Sequence, residues 1–123
     1  MTCDIISTGG NLKRDVLAQV GPHALRTVRS YHVRYAILSC RGINDRLGLA
    51  DSDDAVVEVK QAMIASCDCA ILLADQRKFD RDGLVALGSL DLVDKLITDC
   101  KPSQQWLERL QRSGVELLCG EEA

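Results

Sequence analysis

The residues best suited to chemistry lie in three short segments. Thr8-Gly9-Gly10 offers a hydroxyl and backbone N–H groups that no side chain shields, and adjacent glycines let a backbone form an anion-binding nest. Arg41-Gly42-Ile43 sets a guanidinium fork beside a permissive backbone position, which suits a phosphate or carboxylate. Lys78 follows an apolar run that ends in Asp75, and a lysine there neutralises a bound phosphate as a point charge. Each segment alone also reads as an ordinary turn or surface cation. Arg77 adds charge beside Lys78. Lys60, one position after Val59 in a helix-patterned stretch, reads as a boundary residue whose stem lies along apolar surface.

Other chemistries have less behind them. His23 and His32 neighbour no plausible nucleophile, and no nucleotide-binding or hydrolase motif is present. Asp51, Asp53 and Asp54 form an acidic run that suits a hard cation, although helix capping explains it more simply. Cys67-Asp68-Cys69 is a close thiol pair, but no second pair or nearby histidine completes four ligands. No metal and no cofactor is expected. The six cysteines are even in number, yet Cys40, Cys69 and Cys119 sit in or beside apolar runs, where free cysteine acts as a small hydrophobe. The first residues carry no basic export signal, so a cytoplasmic protein with reduced thiols is expected.

The elements that position these segments follow from periodicity. Apolar runs predict strands near 3–7, 35–40, 69–74, 95–98 and 115–119. Pro22 opens a helix near 22–31. Val56, Val59 and Met63 recur at helical spacing and predict a helix near 55–66 capped by Asp53 or Asp54; Trp106, Leu107 and Leu110 predict another near 103–113. Residues 41–45 and 47–54 read as loops, and 80–94 are weakly patterned. Strands apolar on both faces and separated by helices imply an α/β fold, a parallel twisted sheet with helices on both sides. Ligands in such sheets sit beyond the strands' C-terminal ends.

Composition agrees with one domain. The 123 residues are 46% hydrophobic and 27% charged, enough to build a core, and no apolar run is long enough to span a bilayer. Net charge is −3, which argues against a free-standing DNA-binding domain. It is uneven: residues 1–50 hold seven Lys/Arg against three acids, a bias that suits a small anionic ligand, although ordinary solvated arginines explain it more simply.

Taken in order, the motifs resemble the C-terminal sensor domain of the DeoR family of bacterial transcriptional repressors. The match runs through Thr8-Gly9-Gly10, Val20-Gly21-Pro22-His23-Ala24, Gly42-Ile43-Asn44 (where the family often has Gly-Ile-Asp) and Gly48-Leu49. It continues through Val59-Lys60-Gln61-Ala62-Met63-Ile64, Leu72 to Phe79, Leu96-Ile97-Thr98-Asp99 and Gly114-Val115-Glu116-Leu117. The resemblance implies a fold like that of ribose-phosphate isomerase, glucosamine-phosphate deaminase and the CoA-transferases. It implies a single partial sensor domain over residues 1–123 that starts near the domain's middle third, with the helix-turn-helix domain and the first strand–loop–helix outside it.

It also implies binding of a phosphorylated sugar or similar small anion, with Thr8, Gly9, Gly10, Arg41, Gly42, Ile43 and Lys78 lining the mouth. DNA is then reached only through the N-terminal domain; no membrane partner and no enzymatic activity are expected, and a homo-oligomer is. Two alternatives stand beside this: a small sugar-phosphate isomerase, and a non-binding oligomerisation module. Aligned with the isomerases, the position of their catalytic glutamate falls at Lys60, a poor substitute for a carboxylate base.

Overall fold

The computed structural model describes residues 2–120. In chain order the elements are β1 (Asn11–Lys13), β2 (Ala18–Val20), α1 (Pro22–Arg29), β3 (Val33–Leu38), β4 (Gly42–Asn44), β5 (Gly48–Asp51), α2 (Asp54–Ala65), β6 (Cys67–Leu73), β7 (Val85–Gly88), β8 (Lys95–Thr98), α3 (Gln104–Arg112) and β9 (Glu116–Cys119), with short 3-10 turns at Gln76–Lys78 and Leu90–Leu92. None of these helices is long and apolar enough to cross a membrane.

The frame is a parallel sheet in the order β3-β6-β8-β9. The expected helices and the four later strands are present within a few residues of their sequence positions. The order advances in one direction only, so right-handed crossovers carry α2 and α3 to the same face. That face holds the core: Leu38, Ala70, Leu72 and Leu96 pack with Val57, Trp106 and Leu110. Leu38 pairs with Leu72, and Leu72 with Leu96, so one register row is buried across three strands. The alternate row (Tyr35, Ile37, Leu73, Ile97 and Leu118) remains 39–59% exposed. Helices therefore cover one face among the described residues, where the sequence pattern suggested both.

Three segments differ from the sequence reading. The strand expected near 3–7 does not form: Ile5 and Ile6 are 88% and 67% exposed and lie outside every sheet. Two apolar residues followed by Ser-Thr-Gly-Gly give a strand too little to bury. Residues 11–20 instead form the antiparallel β1–β2 hairpin. The segments read as loops at 41–45 and 47–54 contain β4 and β5, which pair antiparallel with each other, and β5 pairs with β7. This second sheet is well buried, with Ile43, Leu49 and Ala50 at 0% exposure.

The β4–β5 turn is built by Asn44. Its Oδ1 accepts N–H bonds from Arg46 (3.1 Å) and Leu47 (2.8 Å), while its Nδ2 donates to the Arg81 carbonyl at 2.9 Å. Gly48 closes the turn at φ 74°, a left-handed conformation that glycine adopts without strain. Asp45 in the turn forms an ion pair with Arg109, whose guanidinium stacks 4.8 Å from the Trp106 ring centroid, so the turn is fastened to α3.

Candidate functional site

The C-terminal ends of β3 and β6, adjacent parallel strands, open onto a cavity of about 310 Å³ lined by Val16, Ala18, Ser39, Cys40, Arg41, Asp51, Ser52, Val56, Lys60 and Lys78. It lies at the seam of the two sheets, where the backbone N–H of Arg41 donates to the Ala50 carbonyl of β5 at 2.9 Å. A location beyond the strand ends is the one an α/β sheet favours.

Lys78 is set by a short turn. The Asp75 carboxylate caps it by accepting the Arg77 N–H at 2.9 Å, and the Lys78 N–H returns to the Asp75 carbonyl at 3.0 Å. The next residues are pinned to β4: Ile43 bridges Phe79 in parallel, and the Asp80 N–H donates to the Ile43 carbonyl at 2.7 Å. Phe79 packs on Trp106 with centroids 5.6 Å apart. A Cβ on Gly42 would lie 2.1 Å from the Arg81 carbonyl oxygen, so only glycine allows this approach. Gly42 and Ile43 thus act through the backbone, and the Ile43 side chain is wholly in the core.

Lys60 rises from α2 one turn after Val56, and both face the cavity. Its ammonium donates to the Ser39 carbonyl at 2.7 Å and forms an ion pair with the Asp51 carboxylate. The two side chains are only 17% and 8% exposed. Asp51 also accepts the Ser52 N–H at 2.8 Å. Arg41 and Lys78 form no ion pair with a carboxylate among the described residues. Burial pushes the Cys40 thiol up to about 11, with the charges of Lys60, Asp51 and Lys78 acting on it. That thiol is neutral near pH 7 and behaves as wall.

The start of α2 is not free to hold an anion. Asp53 caps it by accepting the Val56 N–H at 3.0 Å, and Lys13 of the hairpin lies 3.4 Å from the same carboxylate. The Val56 N–H above all, and Lys13 beside it, hold the Asp53 carboxyl below its ordinary value. Of the acidic run, Asp53 is therefore a cap, Asp51 an ion-pair partner and Asp54 the first residue of α2.

Of the residues picked from sequence, Arg41 and Lys78 share the cavity, and Gly42 and Ile43 position the strand and loop around it. Thr8, Gly9 and Gly10 lie elsewhere. Thr8 Oγ1 donates to Gln19 Oε1 at 3.1 Å, and a Cβ on Gly9 would meet the His23 ring at 3.0 Å. Thr8 lines a separate apolar cavity of about 770 Å³ with Ile6, Leu12, Tyr31, Tyr35 and Met63. Arg77, expected at the mouth, turns instead to Asp75, 2.8 Å from its carboxylate. Sequence reasoning missed Asp51 as a cavity residue, and it read Lys60 as a boundary residue even though the isomerase alignment set it at the catalytic position. The i,i+4 relation of Lys60 to buried Val56 was the available signal.

Comparison with known proteins gives the family. The model of the DeoR C-terminal sensor domain matches residues 1–100. The chain is similar to the uncharacterized HTH-type transcriptional regulator YulB of Bacillus subtilis (39% identity; 77% of this chain, 37% of that protein). It is also similar to the HTH-type transcriptional repressor GlcR of the same organism (32%; 97% and 46%) and to the glycerol-3-phosphate regulon repressor of Escherichia coli (29%; 94% and 46%). The chain thus spans less than half the length of these relatives, all of them transcription regulators by name. A family match over most of the chain, carried on an α/β sheet with its cavity at the strand ends, makes this protein a member of the DeoR family, related to it through the C-terminal sensor domain.

Proposed function

We propose that this chain is an effector-sensing module that binds a singly phosphorylated sugar or similar small anion in the cavity at the sheet seam and does no chemistry on it. One observation carries the reading: Arg41 and Lys78, 37 residues apart in sequence, face one cavity without carboxylate partners among the described residues. Unpaired cations facing a pocket are what an anionic ligand requires. The volume of about 310 Å³ is at the small end for ligand sites, which favours a ligand of a few carbons over a nucleotide. Occupancy is relayed to DNA through a DNA-binding segment of the kind the HTH-type relatives are named for.

The isomerase alternative lacks its base. Lys60 stands where the glutamate aligns, and the one carboxylate in the wall, Asp51, is engaged by Lys60. Self-association belongs to the same proposal: β3 is an edge strand, and the exposed row beside it is apolar. Sedimentation at rising concentration tests that part; a monomer throughout would remove it.

The binding reading is tested by thermal shift of the chain with fructose monophosphate against unphosphorylated fructose. The phosphorylated sugar is expected to raise Tm, and Lys78→Ala to abolish the rise. Equal stabilisation by the neutral sugar would refute the anion site.

A further inference from the structure

The cavity holds two unlike sets of charge. Arg41 is exposed and Lys78 half-buried, and neither has a carboxylate partner among the described residues. Lys60 and Asp51 are deeper and neutralise each other. Lys60 uses two of its three N–H donors, on Ser39 and Asp51. Asp51 accepts from Lys60 on one oxygen and from the Ser52 N–H on the other, which leaves lone pairs on its carboxylate. This deeper pair therefore offers one donor and spare acceptor capacity at no net charge.

We propose that Lys60 and Asp51 are specificity-determining residues that read the end of the ligand away from its phosphate and select a neutral, hydroxyl-bearing end. The inference rests on the anion-cavity reading above. A hydroxyl both donates and accepts, so it satisfies Asp51 and Lys60 together. A second phosphate brings two or so negative charges against the Asp51 carboxylate. An ammonium group meets Lys60. In a half-dry site either mismatch leaves a like-charge contact that the hydroxyl avoids. The pair thus rejects doubly phosphorylated and amino sugars without touching the phosphate that Lys78 and Arg41 hold.

The test is calorimetric titration of the intact chain with four probes: inorganic phosphate, fructose monophosphate, fructose bisphosphate and glucosamine monophosphate. The unmodified chain is expected to prefer fructose monophosphate over the other two sugars by about tenfold or more. Asp51→Asn removes the carboxylate charge and should move the preference toward the bisphosphate by at least about fivefold, with inorganic phosphate changed less than about twofold. Lys60→Gln should move it toward the amino sugar. Should either single variant unfold by circular dichroism, the double variant Asp51→Asn/Lys60→Gln leaves no unpaired charge and should lose discrimination in both directions. Equal affinity of the unmodified chain for all three sugars would overturn the inference, as would variants that bind with unchanged ratios. If inorganic phosphate and every sugar phosphate fail to bind, the anion-cavity reading falls, and this one with it.

Discussion

Two cavities flank the β1–β2 hairpin, and they differ in kind. Leu12, Leu17 and Gln19 of the hairpin region face the larger one, beside Ile6, Tyr31 and Met63; Val16 and Ala18 face the smaller, beside Lys60 and Lys78. The larger has more than twice the volume, and its walls are apolar side chains that are themselves largely exposed, among them Ile6, Leu17 and Tyr31. The smaller is walled by α2, two strand ends and a pinned turn. Size is not what recommends the smaller cavity as the proposed site. The proposal rests instead on Arg41 and Lys78 converging from well-fixed elements, because orientation of a ligand depends on donors that do not move.

That contrast can be broken from either side. The largest effect is expected from Arg41→Ala combined with Lys78→Ala. Loss of two charge-assisted contacts should lower fructose monophosphate affinity by about a hundredfold, whereas Tyr31→Ser in the apolar cavity should leave it within about twofold. Comparable losses from both variants in titration would move the site to the larger cavity.

Next is Gly42→Ala. Its methyl group must displace the Arg81 carbonyl, at a cost of about 3 kcal/mol by urea unfolding, and the displaced turn should carry Lys78 away and weaken phosphate binding. A smaller effect is expected from Asn44→Asp, which restores the family's frequent residue. The carboxylate cannot donate to the Arg81 carbonyl and sets a charge in a buried site, so stability should fall by about 2 kcal/mol. An unchanged unfolding midpoint would show that the turn tolerates either residue.

The smallest is Asp53→Ala, about 1 kcal/mol for loss of a helix cap. The fold holds the Asp53 carboxyl below its ordinary value. Its contribution is therefore present above the unfolded carboxyl's value and lost as pH falls through the folded one. The gap between wild type and Asp53→Ala should close in acid, and a gap that widened there would contradict the capping role.

The parallel sheet was legible because Tyr35 to Cys40 and Cys69 to Ala74 are continuous apolar runs, the pattern of parallel strands, even though one of their faces stays exposed. The antiparallel sheet was not. β4 is Gly-Ile-Asn and β5 is Gly-Leu-Ala-Asp, strands of three and four residues that bury one large side chain each and begin on glycine. Their stability comes from tertiary contacts, such as Asn44 to Arg81 and Asp45 to Arg109, that no local window contains. Lys78 and Arg41 could be picked because each follows a recognisable strand. Lys60 was legible only through its alignment with the isomerases' catalytic position; its pairing was not, since its partner Asp51 sits nine residues earlier in a segment that read as loop.

The one-way strand order has a consequence for how the chain is made. Of these four strands β3 emerges first, and β6, β8 and β9 each find an edge already laid down by the strand before them. Among these four, no place has to be held open for a strand still inside the exit tunnel. Contacts such as those between β3 and β6 or β8 and β9 join neighbours in synthesis order, so the sheet can grow at the pace of translation, with its newest edge always next to the nascent segment.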